Sequence, residues 1–158
     1  MFNVGSFIVY KKSVCKIKEI KNNKSYILIP IDDNSLKIEV PIDNSFLRSL
    51  ITKEEINKII NEIPSIPIIE ENDKLIESAY KEHLKRGSYR DLISIIKTTY
   101  LRNKRRIDEG KKLSEKDTNY FNLAEKYLYN EFSVVLNKSF DYTKKFVEDC
   151  VYANEISR

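Results

Sequence analysis

From Gly5 to Ile51 the chain alternates apolar and polar positions with a period of two. Phe7 and Val9 open the pattern, and Val14, Ile17 and Ile20 continue it. Tyr26-Ile27-Leu28-Ile29-Pro30-Ile31 is a third β-branched stretch, and Leu36-Lys37-Ile38-Glu39-Val40 alternates cleanly. Turn-forming clusters separate them, Lys21-Asn22-Asn23-Lys24 and Asp32-Asp33-Asn34-Ser35. Short strands at this spacing predict an antiparallel meander or small barrel. Within the last strand Leu36, Ile38 and Val40 are expected to point inward, and Lys37 and Glu39 outward. A segment of about fifty residues is close to the lower limit for a self-sufficient core, so the β part is expected to lean on its neighbour or on a partner.

After Leu50 the rhythm becomes helical. Thr52-Lys53-Glu54-Glu55 has the form of a capping box, in which the Thr hydroxyl takes the N3 amide and Glu55 reaches back. Ile56, Ile59 and Ile60 then share one face, and Pro64 and Pro67 end the helix in an extended connector. A second helix is expected from about Asn72 to Arg86, stopping at Gly87, which suits a left-handed C′ position. Ser88 with Asp91 and Ser114 with Asp117 are Ser-x-x-Asp variants of the capping box and start a third and a fourth helix. A last helix begins around Ser139. Tyr120, Phe121, Tyr127, Tyr129 and Phe132 recur at helical spacing and read as core. The pattern predicts an α+β protein with an N-terminal β-rich domain at residues 1–52. An all-helical domain of about five helices follows at 53–158.

Composition supports a folded chain. The 158 residues suit one compact domain or two small ones, and 41% hydrophobic with 33% charged residues is too apolar for disorder. With 3 Gly and 4 Pro, few positions are given to unusual backbone, and long regular elements follow. Cys15 and Cys150 lie far apart and form no ligand-spaced cluster, so reduced structural thiols in a cytoplasmic protein are expected. No apolar run approaches the roughly 20 residues of a membrane span. Met1 to Val9 has neither a basic leader nor a small-residue cleavage site.

The overall charge of +4 conceals a polar arrangement. Residues 53–80 carry three Lys and seven acids, a net −4; residues 81–112 carry eleven Lys or Arg and four acids, a net +7. Residues 113–158 return to −2, with six basic and eight acidic groups. The basic block is Lys81, Lys85, Arg86, Arg90, Lys97, Arg102, Lys104, Arg105, Arg106, Lys111 and Lys112. On a helix Arg90, Lys97 and Lys104 form one stripe beside an apolar stripe of Leu92, Ile96 and Tyr100. So concentrated a surplus reads either as a solvated face or as a phosphate-binding surface.

Catalytic signatures are missing. His83, the single histidine, has no ligand-spaced partner and is expected to face solvent. Gly5, Gly87 and Gly110 are isolated, so no phosphate-binding loop is formed. No nucleophile elbow or metal-spaced Cys/His set is present, and the acidic pairs Asp32-Asp33 and Glu70-Glu71 lie in a turn and a connector. Neither an enzyme nor a cofactor is expected.

Several segments taken in order resemble one family. Phe2-Asn3-Val4-Gly5-Ser6-Phe7-Ile8-Val9-Tyr10 is similar to the start of CarD/CdnL proteins and of the related polymerase-interacting module of transcription-repair coupling factors. Val14-Cys15-Lys16-Ile17, Tyr26-Ile27-Leu28 and Leu36-Lys37-Ile38-Glu39-Val40-Pro41 follow in the family's order, then Leu47-Arg48-Ser49-Leu50 and the capped helix at Thr52. Tyr80 to Gly87, Tyr100-Leu101-Arg102 and Glu109-Gly110-Lys111-Lys112 resemble its helical domain, so the resemblance covers nearly the whole chain. It implies a transcription regulator whose Tudor-like or SH3-like barrel docks on the β-subunit lobe of RNA polymerase by strand addition. The helical domain would then meet promoter DNA at the upstream edge of the transcription bubble, the protein acting as a monomer. On this resemblance Lys37, Ile38, Glu39, Val40 and Pro41 would meet polymerase. Lys81, Lys85, Arg86, Arg90, Lys97, Lys111 and Lys112 would meet DNA.

The chain departs from the family pattern in three places. Lys11-Lys12 stands where a Gly-containing turn is usual, and Ser6 replaces an acid. No Trp is present to wedge at the DNA fork, and the corresponding stretch Pro67-Ile68-Ile69-Glu70-Glu71-Asn72 offers only aliphatic and acidic groups. Two other readings stand beside this one, a polymerase-binding adaptor without DNA contact and a general nucleic-acid binder.

Overall fold

A computed structural model describes the backbone of residues 2–156 and the side chains of residues 2–150. Five antiparallel strands come first: β1 (Phe7–Tyr10), β2 (Ser13–Lys21), β3 (Ser25–Pro30), β4 (Ile38–Pro41) and β5 (Leu47–Arg48). They form one half-barrel sheet in the order β4-β3-β2-β1-β5, with β4 and β5 as its two open edges. Five helices follow, α1 (Lys53–Glu62), α2 (Ile76–Arg86), α3 (Tyr89–Asp108), α4 (Glu115–Leu136) and α5 (Phe140–Ile156), with a 3-10 turn at Ile63–Ser65 after α1. The α+β order and the five helices agree with the sequence pattern, and the sheet is an open antiparallel half-barrel. Among the described residues no helix is long and apolar enough to cross a membrane.

The β1–β2 reversal has two residues, Lys11 and Lys12, both at positive φ (48° and 73°). That backbone favours Gly or Asn, and it matches the right-handed twist of the flanking strands. Contacts offset part of the cost, since the Lys11 ammonium lies 5.4 Å from the Tyr10 ring centre and 5.3 Å from that of Phe46. Asn22 and Asn23 turn β2 into β3 through the same region, at 54° and 56°. A bulge between Ile17 and Glu19 bends β2.

Alternation gives the sheet two faces, and both are partly buried. Ile8, Cys15, Ile17, Tyr26, Leu28 and Val40 form the core of one face. Val9 and Val14, cross-strand neighbours, are buried on the other. Arg48 pairs with Val9 and so shares that second face, and α4 packs against β2. Leu36 corrects the inward pattern: it precedes β4 and is 45% exposed, leaving Ile38 and Val40 alone to face the core. Irregular backbone at Asp33–Leu36 breaks the alternation that the residue types suggest.

The helical part has its own core, and Ile51 belongs to it, as do Ile56, Tyr80, Leu92 and Phe132. Thr52 and Ser88 make complete capping boxes with Glu55 and Asp91. Ser114 makes only half of one. Its hydroxyl accepts from the Asp117 amide, while the fully buried Asp117 carboxylate takes the Tyr80 hydroxyl at 2.8 Å and Arg102 Nε at 3.0 Å. Helix α2 starts at Ile76, later than expected, because Asn72 holds a separate turn by accepting from Lys74 N and Leu75 N. Gly87 ends α2 at φ +67°, as its position suggests.

One buried carboxylate joins the two parts. Glu131 of α4 receives both Arg48 Nη groups, at 2.9 and 2.7 Å. The Ile51 amide adds a bond at 2.8 Å and the Tyr89 hydroxyl another at 2.7 Å. Burial and the bond to this carboxylate push the Tyr89 hydroxyl well above the usual phenol range. Farther along α4, Lys126 reaches Asp32 at 3.0 Å. Glu131→Ala strands two buried donors and a guanidinium, a loss on the order of 3 kcal/mol. Urea denaturation should register this as a lower midpoint, whereas Lys126→Ala, at an exposed pair, should move it by less than about 1 kcal/mol.

Candidate interaction surfaces

Strand β4 is an edge, paired only with β3. Ile42 N donates to Lys24 O at 3.0 Å. Residues along an antiparallel strand turn their main-chain groups to alternate sides. Val40 and Ile38 therefore bond Tyr26 and Leu28, while the amide and carbonyl of Glu39 face away from the sheet. Lys37 has the same parity. Pro41 lacks an N–H, and its carbonyl accepts from Asn44 N at 3.0 Å, which closes the edge at that end. The open stretch is short and carries charged Lys37 and Glu39, a common protection against unwanted pairing. Glu39 lies 3.9 Å from Lys21 across the outer face.

The basic block does not form one patch. Helix α3 rises about 1.5 Å per residue, so Arg90 and Lys104 stand about 21 Å apart along it. One group gathers at the α2–α3 elbow: Lys81, Lys85, Arg86 and Arg90. The other lies at the α3–α4 end: Lys104, Arg105, Arg106, Lys111 and Lys112. At the elbow Arg90 meets Glu62 at 3.3 Å, Arg86 meets Asp91 at 3.1 Å, and Lys81 lies 3.9 Å from Glu77. Lys111 is paired with Glu109 at 3.0 Å and Arg106 Nε donates to the Lys112 carbonyl at 2.7 Å. Lys85, Lys104, Arg105 and Lys112 are exposed and make no ion pair among the described residues.

Two members of the block serve the fold. Lys97 Nζ donates to the carbonyls of Ile63 and Ile66, at 2.8 and 2.6 Å, and closes the end of the α1 region. Arg102 bridges Asp117 and Asp73 at 3.0 and 2.8 Å. The expected apolar stripe is also corrected. Leu92 is buried and Ile96 partly so, but Tyr100 is 57% exposed, because the segment that covers the first half of α3 does not extend over its end. Tyr100 belongs with exposed Leu101, Ile107 and Leu113 at the α3–α4 end, among the cations.

His83 is half-buried at the elbow, not solvent-facing as expected. Asp91 Oδ1 stands 2.8 Å from its Nδ1, yet outside the angular range of a hydrogen bond, so that ring nitrogen is without an aligned partner. Burial would raise the Asp91 carboxyl, but hydrogen bonds from Ser88 and Arg86 outweigh it and hold the group below its usual range. Ile69 packs against the helical core with its amide on Thr98 Oγ1 at 2.8 Å, leaving Ile68 exposed in the connector. Burial, helped by Asp32, pushes the Cys15 thiol up to about 11. Among the described residues no group of three or more His, Cys, Asp or Glu could hold a metal ion.

No protein-family model matches the chain, and comparison with curated proteins likewise finds no match.

Two measurements check these placements. Lys97→Met should lower stability by about 1–3 kcal/mol because it strips a charged donor from two carbonyls, while Lys104→Met should stay within about 0.5 kcal/mol. The Asp91 contribution is present above the unfolded carboxyl pKa and is lost as pH falls through the depressed folded value. Asp91→Asn should therefore flatten the acid limb of the stability–pH curve and leave its neutral slope unchanged.

Proposed function

We propose that the chain is a non-enzymatic transcription regulator of the CarD/CdnL type. In this reading the N-terminal sheet is a Tudor-like or SH3-like polymerase-interacting module, and a strand of the RNA polymerase β-subunit lobe adds to β4. The observation that carries the proposal is the open main chain of Glu39 on a short edge strand. Strand addition needs unpaired amides and carbonyls at an accessible edge, and side chains beside them supply selectivity. Lys37 and Glu39 supply opposite charges there, while Ile38 and Val40 anchor the strand to its core.

Promoter DNA is the second partner in this proposal, met through the exposed cations. The α3–α4 end is favoured over the elbow, where Arg86 and Arg90 are already paired with acids. Lys104, Arg105 and Lys112 are exposed and make no ion pair among the described residues, which leaves them open to phosphate. Lys97 contributes to the fold and is the weakest of the DNA-contact candidates.

Pull-down of polymerase β subunit by the full chain tests the first partner. Glu39→Pro removes only an outward N–H and should abolish capture with the fold intact. Ile38→Pro removes a donor to β3 and should instead destabilise the sheet. Capture unaffected by Glu39→Pro would remove the edge from the interface. For DNA, Lys104→Ala with Arg105→Ala and Lys112→Ala should lower the salt slope of binding to a forked promoter fragment by about 0.9 per lost phosphate contact. Polymerase capture should be unchanged in that variant. DNA binding without polymerase capture would favour a general nucleic-acid binder, and the reverse an adaptor.

A further inference from the structure

The second face of the sheet is only half covered. Helix α4 lies over the row that includes Arg48, Val9 and Val14, tied by Glu131 to Arg48 and by Lys126 to Asp32. The next row of the same face is Phe7, Lys16 and Ile29, cross-strand neighbours in register on β1, β2 and β3. It borders a groove of about 530 Å³ lined by Val4, Phe7, Lys16, Lys18, Ile29 and Ile31. Val4 is 57% exposed, and the Lys16 ammonium stands 5.9 Å from the Phe7 ring centre.

The rim of this groove is cationic at Lys16 and Lys18, and among the described residues neither makes an ion pair, with Glu19 the one acid acting on Lys18. Lys18 lies within hydrogen-bonding reach of Lys37, whose proximity holds it below the ordinary lysine range. The nearest loop carboxylates are turned elsewhere, Asp32 to Lys126 and Asp33 to the Ser35 hydroxyl and amide. An apolar floor edged by ammonium groups outside any ion pair suits an occupant with the opposite arrangement. Lipid headgroups and nucleic-acid phosphates would satisfy the cations but leave the concave apolar floor without a large side chain to cover it.

We propose that this groove binds a protein segment in which large apolar side chains are flanked by carboxylates. An apolar side chain packs on Phe7 and Ile29, and the acids meet Lys16 and Lys18. The site is separate from the outward main chain of Glu39, so it stands whether or not polymerase adds to β4.

The probe is a synthetic peptide alternating Glu with Leu and Phe, titrated into the full chain and followed by backbone amide NMR. Shifts should concentrate at Val4, Phe7, Lys16, Lys18 and Ile29, and affinity should fall as salt rises. Lys16→Glu with Lys18→Glu, both exposed positions, should weaken binding by about tenfold or more. The same variant should gain binding to a counterpart peptide with Lys in place of Glu, a rescue that simple misfolding would not produce. Glu39→Pro should leave peptide binding unchanged, which separates this groove from the edge. No binding, equal binding of the Lys peptide to the unaltered chain, or shifts centred on Lys104 to Lys112 would each overturn the proposal.

Discussion

The structure depends on the carboxylate of Glu131. A buried carboxylate is costly unless donors surround it, and here the two Nη groups of one guanidinium, an amide and a phenol do so. Those donors come from β5, from the segment leading into α1, and from the start of α3. All three segments must be in place together to complete this bond set, so it favours one orientation of α4 on the sheet. Its contribution is as much to uniqueness as to stability. Arg48 also lies with its guanidinium 5.4 Å from the Tyr89 ring centre, which keeps the planar group in line with the carboxylate.

That orientation decides what is left exposed. With α4 held at the Val9–Val14 row, Phe7 and Ile29 in the next row stay only half-buried. A parallel division runs along the helices. Lys97 and Arg102 sit among the eleven cations of residues 81–112, yet one closes the α1 region and the other neutralises a fully buried aspartate. A charge count over a segment therefore overstates the field available to a partner. What remains is concentrated at the two ends of α3, more of it unpaired at the α4 end.

Local chemistry was legible in the sequence, and long-range chemistry was not. Thr52, Ser88 and Gly87 act within one helical turn of themselves, so their spacing alone announces the ends they cap. The change from period two to helical spacing near Thr52 is equally local. Strand β5 escaped because two residues are too few to show any period. Leu36 misled for the opposite reason, since alternation of residue type persists where the backbone leaves the sheet. Glu131 bonds Ile51 across 80 residues and Asp117 takes Tyr80 across 37, so nothing near either acid marks it as buried. His83 was misjudged because its polar neighbours in sequence do not include the Asp91 that packs beside it. For the candidate surfaces, the strand 37–41 and most of the cations were visible. The groove was not, because it arises from what α4 fails to cover.

The same rigidity links the two candidate surfaces mechanically. Glu131 and Glu115 are sixteen residues apart on one unbroken helix, about 24 Å. Asn103 bonds both Ser114 and Thr118, at 2.8 and 3.1 Å, and Arg102 bonds Asp117, so the end of α3 is fastened to the start of α4. A partner that grips the sheet thereby also sets the position of Lys104, Arg105 and Lys112, with the Glu131 cluster as the joint. Loosening that joint would leave each surface intact and remove their fixed relation. On the proposed function, docking of the sheet would raise the local concentration of those cations at the DNA and so strengthen contacts at the α3–α4 end. A modest cationic surplus is then sufficient, and a strongly basic chain is not required.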